Sequence, residues 1–330
     1  MHEFLRDLPK VELHLHIEGS LEPELMFALA QRNGIQLPYA TVQEAKDAYH
    51  FSDLQGFLKL YFQGMDVLRN EEDFYDLAMD YFKRARGEGV VHIDMHFDPQ
   101  AHLQRGVPLE VVMAGLLKAK QEAEDTLDLS IGMIMAFLRD RPADEALHVL
   151  EQAAPYWKML DAIGLDSAEQ NNPPANFIDV FKRAQQLELV CVAHAGEEGP
   201  AEYIQEALDV LGVERVDHGV RCLESQTVVE RLRSEQIVLT VCPLSNVSLK
   251  VVDDLRDHPL PKLLAEGLKV TISSDDPAYF GGGMMVNHIA CAEAFGWDEA
   301  VFRQLTRNAI EEAFVTLERR EELLARLAAV

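Results

Sequence analysis

KVELHLHIE, residues 10–18, is a short apolar run that ends in polar side chains. Period-two alternation puts His14 and His16 on one face of a strand, near its C-terminal end. Seven further runs repeat the pattern: VVHIDMHFDP (90–99), SIGMIMAF (130–137), MLDAIGLD (159–166), LVCVAHAGE (189–197), RVDHGV (215–220), IVLTVCPLSN (237–246) and KVTISSDDP (269–277). Between them lie longer segments with helical periodicity, such as AEYIQEALDVL, where Ile204, Ala207, Leu208 and Leu211 fall at i, i+3, i+4 and i+7. Eight strands alternating with helices predict an α/β chain folded as a (β/α)8 TIM barrel of about 250 residues, leaving roughly 80 for an insertion. No Pro/Gly/Ser linker divides residues 1–330, so one domain is expected. Residues 20–89 are too long for a single crossover helix and contain the aromatic-rich FLKLYFQGM (57–65). They are read as a helical lid inserted after the first strand, with ordinary inter-helix core as the alternative use of those aromatics.

Composition narrows the function. A net charge of −26, from 56 acidic and 30 basic residues, argues against nucleic acid, whose phosphates demand clustered Lys and Arg. No apolar stretch approaches the roughly 20 residues of a membrane helix, and the first residues lack the apolar run of a signal peptide, so a cytoplasmic enzyme is expected. Cys191, Cys222, Cys242 and Cys291 show no CxxC spacing, which indicates neither a disulfide framework nor a cysteine metal site. Composition leaves the oligomeric state open, a homo-oligomer included.

Loops that follow the strands of a parallel barrel build its active site, so reactive residues belong at the C-terminal strand ends. His14 and His16 end the first strand, His194 and Glu197 the fifth, His218 the sixth, and Asp275 with Asp276 the eighth. Three imidazoles and a carboxylate converging there suit zinc, which takes nitrogen and oxygen ligands and keeps a position for water in catalytic sites. Iron or another divalent metal stays open. There is no HExxH, and the HxE at His16-Ile17-Glu18 lacks the PCxxC that completes the cytidine-deaminase pattern. His92 and His96 are assigned packing or supporting roles, and His288 is left open.

LPKVELHLHIEGS (8–20), HAGEEGP (194–200), VDHGV (216–220), VCPLSN (241–246) and SSDDP (273–277) together resemble the adenosine/adenine deaminases of the amidohydrolase superfamily, in family order and across nearly the whole chain. The resemblance implies one zinc ion per chain held by His14, His16, His194 and Asp275. MLDAIGLD carries no lysine of the kind that bridges two metals in other superfamily members. It implies Glu197 as the acid that protonates ring N1, His218 as the group that takes the water proton, and Asp276 and Gly196 as contacts to the purine. Where adenosine enzymes tend to read Asp-Leu-Ala-Gly-Asp-Glu, this chain reads Asp166-Ser167-Ala168-Glu169-Gln170-Asn171, and Glu18 stands where a shorter aspartate meets the ribose. Ser167, Glu169 and Glu18 are therefore expected on the sugar side, with Glu169 accepting the N9–H of a free base. The expected reaction is hydrolysis of adenine to hypoxanthine and ammonia, a step of purine salvage. An N6-substituted adenine, adenosine, and a metal-binding barrel without catalysis are the alternatives.

Overall fold

The computed structural model describes residues 1–330. Eight strands, β1 (Lys10–His16), β2 (Val90–Phe97), β3 (Ser130–Leu138), β4 (Ala162–Asp166), β5 (Val190–Ala195), β6 (Arg215–His218), β7 (Val238–Val241) and β8 (Lys269–Ile272), pair in sequence order, all parallel. Asp275 closes the ring by bridging to β1: His16 N–H donates to its carbonyl (2.9 Å), and its own N–H donates to the carbonyl of His14 (3.1 Å). The expected (β/α)8 barrel is present. The strands are shorter than the apolar runs, because their polar ends leave the ladder for loops. Pro243 begins a helix (Pro243–Ser248) inside VCPLSN, where it takes the first-turn position that needs no N–H donor.

The chain before and after β1 is helical: α1 (His2–Asp7), α2 (Pro23–Asn33), α3 (Val42–Asp47), α4 (Leu54–Gly64) and α5 (Glu71–Gly87). Local chemistry punctuates them. Pro23 opens α2, and Gly34, at φ 65°, closes it in the left-handed conformation that glycine adopts without strain. The side chain of Asp53 accepts the Gly56 N–H (2.8 Å) to cap α4, and Asn70 with Asp73 forms a capping box on α5. The excursion is shorter than residues 20–89, because α5 packs beside the Leu109–Thr126 helix as part of the barrel's outer ring. Between β1 and β2, the helices that depart from the βα pattern are α2 to α4. The segment at 201–211 runs as helix through Glu206 and then widens into a π-helical turn, with Ile204, Ala207, Leu208 and Leu211 buried as the periodicity requires. No helix is long and apolar enough to cross a membrane.

Candidate active site

Three imidazoles meet above the barrel axis. The Nε2 atoms of His14, His16 and His194 lie 3.0 to 3.3 Å from one another, and Asp275 Oδ1 is 3.3 and 3.5 Å from those of His14 and His16. Three ring nitrogens that face one another cannot all be satisfied by hydrogen bonds among themselves. Edges of about 3.3 Å are those of a tetrahedron around a cation with bonds of about 2.0–2.1 Å, the zinc–nitrogen length. The Nδ1 side of each ring is turned to an acceptor: Thr240 Oγ1 at 3.0 Å for His14, Asp166 Oδ2 at 3.6 Å for His16, and Asp217 Oδ2 at 3.6 Å for His194. That arrangement aims the Nε2 lone pairs inward. Burial pushes His16 down to about 4 and His194 well below its ordinary value, whereas His14, equally buried, is raised by the charges of Asp217 and Asp275. Asp275 stays ionised because its attraction to His14, His218 and His16 outweighs the cost of burial. Three imidazole nitrogens and one carboxylate fit a divalent cation, which would displace any proton shared between His14 and Asp275.

His218 Nε2 sits 3.6 Å from Glu197 Oε2 and 3.7 Å from Asp275 Oδ2. Burial lowers its pKa to about 3, so its ring is neutral. Asn246 Nδ2 lies 3.4 Å from its Nδ1, and the carbonyl oxygen of Asn246 is 3.1 Å from His258 Nε2. This chain favours the tautomer with Nδ1 as acceptor. Burial, followed by the charge of Asp275, holds Glu197 well above the usual carboxylate range, so it carries a proton. Asp276 is raised likewise, by burial and then by Asp275. A Cβ on Gly19 would lie 1.8 Å from Asp276 Oδ1, so the glycine of HIEGS makes room for that carboxyl. Ser167, His218 and Asp275 all take left-handed φ values between 62° and 68°, rare for residues with a Cβ and typical of strained site positions.

These groups line one cleft of about 410 Å³. Leu54, Phe57, Leu58, Tyr61 and Phe62 of α4 form one wall, with Leu138 and Leu249 on other sides, so side chains of the aromatic run line the cleft. His16, Ser167, His194, Glu197, His218, Asp275 and Asp276 reach the cleft. Three expected purine contacts are placed elsewhere. Glu169 is fully buried behind the wall, where its Oε2 accepts the Gly199 N–H. A Cβ on Gly199 would meet the same carboxylate at 2.3 Å. Glu18 lies one layer back, its Oε1 accepting the Asp98 N–H (3.0 Å) and facing His102 Nε2 (2.7 Å). Gly196 is at φ 72°, and a Cβ there would strike Ile204 at 2.5 Å, so the glycine serves the turn and helix packing.

Other site residues were not singled out from the sequence. Asp217, next to His218, takes the Thr240 hydroxyl proton on Oδ1 (2.7 Å) and faces His96 Nε2 (3.2 Å), so the expected supporting role of His96 has a concrete form. Glu12 accepts the Ser274 N–H (3.2 Å) and fixes the turn that carries Asp275. Arg139 donates to the His194 carbonyl (2.6 Å) and the Asn172 carbonyl (2.9 Å), tying the ends of β4 and β5. Asp98 lines the cleft beside Asp166; directly before Pro99, it reads in sequence as an ordinary helix start. His92 pairs with Asp94 (2.7 Å) among packed side chains, and His288 faces the Met284 carbonyl (2.8 Å) within its own helix.

The family model for adenosine deaminase matches residues 9–330. The chain is 55% identical over 327 residues to an adenine deaminase of Rhodospirillum rubrum, covering 99% of this chain and 98% of that one. It superimposes on the crystal structure of an adenine deaminase from Arthrobacter aurescens with a TM-score of 0.96 at 49% identity, covering 98% of each chain. An amidohydrolase from Burkholderia ambifaria, solved with bound Zn, matches at TM-score 0.88 and 26% identity over 100% of this chain and 95% of that one.

Proposed function

The chain belongs to the adenosine deaminase family, and from that membership we propose that it hydrolyses adenine to hypoxanthine and ammonia with one zinc ion per chain. The observation that carries the reading is the cleft itself. Its wall holds Asp98, Asp166, Glu197, Asp275 and Asp276 and no Lys or Arg, which suits a neutral base rich in N–H donors and leaves nothing to bind a phosphate. Aromatic and leucine side chains of α4 offer a flat apolar face to a planar ring.

His14, His16, His194 and Asp275 would hold the cation, whose chemistry when bound would be to lower the pKa of a water at this site toward neutrality. His218, neutral and beside Asp275, takes the water proton as the C6–O bond forms. Glu197 enters protonated, gives its proton to ring N1 and so makes C6 electrophilic. Asp276 holds the N7 edge. The C6–N bond then breaks as the leaving nitrogen takes up the proton held at His218 and ammonia departs, while the C6 hydroxyl proton is returned to Glu197, leaving the C6 carbonyl of hypoxanthine and the starting protonation state.

The test is loss of adenine absorbance together with ammonia release by the zinc-loaded protein. Glu197→Gln should retain about one zinc per chain by elemental analysis and still bind hypoxanthine, while kcat falls by about 10²–10⁴-fold or more, the usual yield of a general acid. A defect confined to KM would remove the acid role from Glu197, and two stoichiometric metals would remove the single-ion assignment.

A further inference from the structure

Asp98 follows β2 and Asp166 ends β4, with β3 between them, and the two carboxyls line the same cleft side by side, only 1% and 2% exposed. Asp98 is clamped from two sides. Tyr61 of α4 donates its hydroxyl to Oδ2 (3.1 Å), and the Asp98 N–H is held by Glu18, itself anchored at His102. Asp98 Oδ1 and both carboxyl oxygens of Asp166 are buried and receive no hydrogen bond from a protein amide or hydroxyl; the two carboxyls contact each other, and Asp166 Oδ2 faces His16 Nδ1 at 3.6 Å. A buried carboxylate oxygen without a donor has lost its hydrogen bonds to water, so a ligand that supplies donors recovers that loss on binding.

Building on adenine as the substrate, we propose that Asp98, with Asp166, accepts the ring N9–H of the free base and is the group that selects base over nucleoside. With Glu197 at N1 and Asp276 at N7, the edge bearing N3 and N9 is the part of the purine still without a polar partner. A free base carries hydrogen at N9; a nucleoside carries carbon there, which would leave a desolvated carboxylate unpaired and press against it. Both penalties act in the same direction. The role expected of Glu169 passes to residues that reach the cleft, and Glu18 acts through Asp98 by fixing its backbone.

Adenine and 9-methyladenine isolate the contact, since they differ only at N9. The zinc-loaded wild type should prefer adenine in kcat/KM by about 10⁴-fold, as sites built around a polar partner do. In Asp98→Ala the adenine value should fall by about 10²-fold or more while 9-methyladenine holds or rises, so the ratio collapses. Tyr61→Phe, which leaves the carboxylate in place, should lower the ratio by a smaller factor and guards against misfolding of the first variant. Calorimetric binding of hypoxanthine against 9-methylhypoxanthine gives the same comparison without turnover. An unchanged ratio in folded, zinc-replete Asp98→Ala overturns the proposal, as does a second metal per chain that this variant loses. Absence of ammonia from adenine in the wild type would instead sink the assigned reaction, and calorimetry with adenine and 9-methyladenine would then decide the N9 contact by itself.

Discussion

At Glu169 a single carboxylate holds a loop together. It is fully buried, 3.7 Å from the Arg139 guanidinium, and accepts the amide of Gly199, with those of Glu197 and Gly196 also turned toward it. Those amides belong to the turn that carries the proposed acid. Glu169→Ala would leave several buried donors without a partner, at roughly 1–3 kcal/mol each where water cannot enter. We expect a lower Tm and a kcat reduced by at least tenfold, with the ratio of adenine to 9-methyladenine unchanged, because the side chain does not reach the cleft. A shifted ratio would return Glu169 to the base-binding wall. Steady-state kinetics on the two purines with a melting curve separate these outcomes.

Among the elements, α4 has the clearest dependence on local chemistry. It is eleven residues long, begins in an exposed loop, and is capped by Asp53 on Gly56. An N-cap of this kind contributes about 1 kcal/mol. Asp53→Ala should therefore fray the turn that carries Leu54, Phe57 and Leu58. If ordering of that turn is part of binding, 1 kcal/mol raises KM about fivefold. The chemical step with substrate bound should change less. An unchanged KM would make the helix a passive wall. The cap joins residues only three apart, Asp53 and Gly56, whereas which side chains of α4 reach the cleft came only with the fold.

Across the molecule, several histidines are buried in neutral form outside the metal cluster. Burial brings His288 and His102 down to about 3 and His258 to about 4. An unfolded histidine titrates near 6.5. Above that pH both states are neutral and the full stability is present. As pH falls through 6.5 the unfolded chain binds protons that the folded chain refuses until about 3–4, so stability declines across that window. At pH 4.5 the share of His288 alone is on the order of 2–3 kcal/mol. His288→Gln keeps a donor for the Met284 carbonyl and has no charge to acquire. Its Tm should fall less steeply than that of the wild type between pH 6.5 and 4.5, in matched zinc and salt. Superimposable slopes would show that this histidine does not contribute.

What could be read from residues alone was whatever repeats or alternates locally. Period-two runs separated by helical segments determined the barrel, and strand-end placement determined that His14, His16, His194, His218, Glu197, Asp275 and Asp276 gather at one mouth. Parallel strands in sequence order leave few other arrangements for such residues. The side-chain layer around them was decided in three dimensions. Asp98 lies 68 positions from Asp166 in the chain and Glu18 lies 84 from His102; whether each faces the cleft or a neighbour depends on strand stagger and loop direction. Glu169 shows the limit most plainly. A carboxylate beside the barrel mouth can satisfy a ligand or a nearby backbone amide with equal chemistry, and only the path of the 196–199 turn placed amides in its reach.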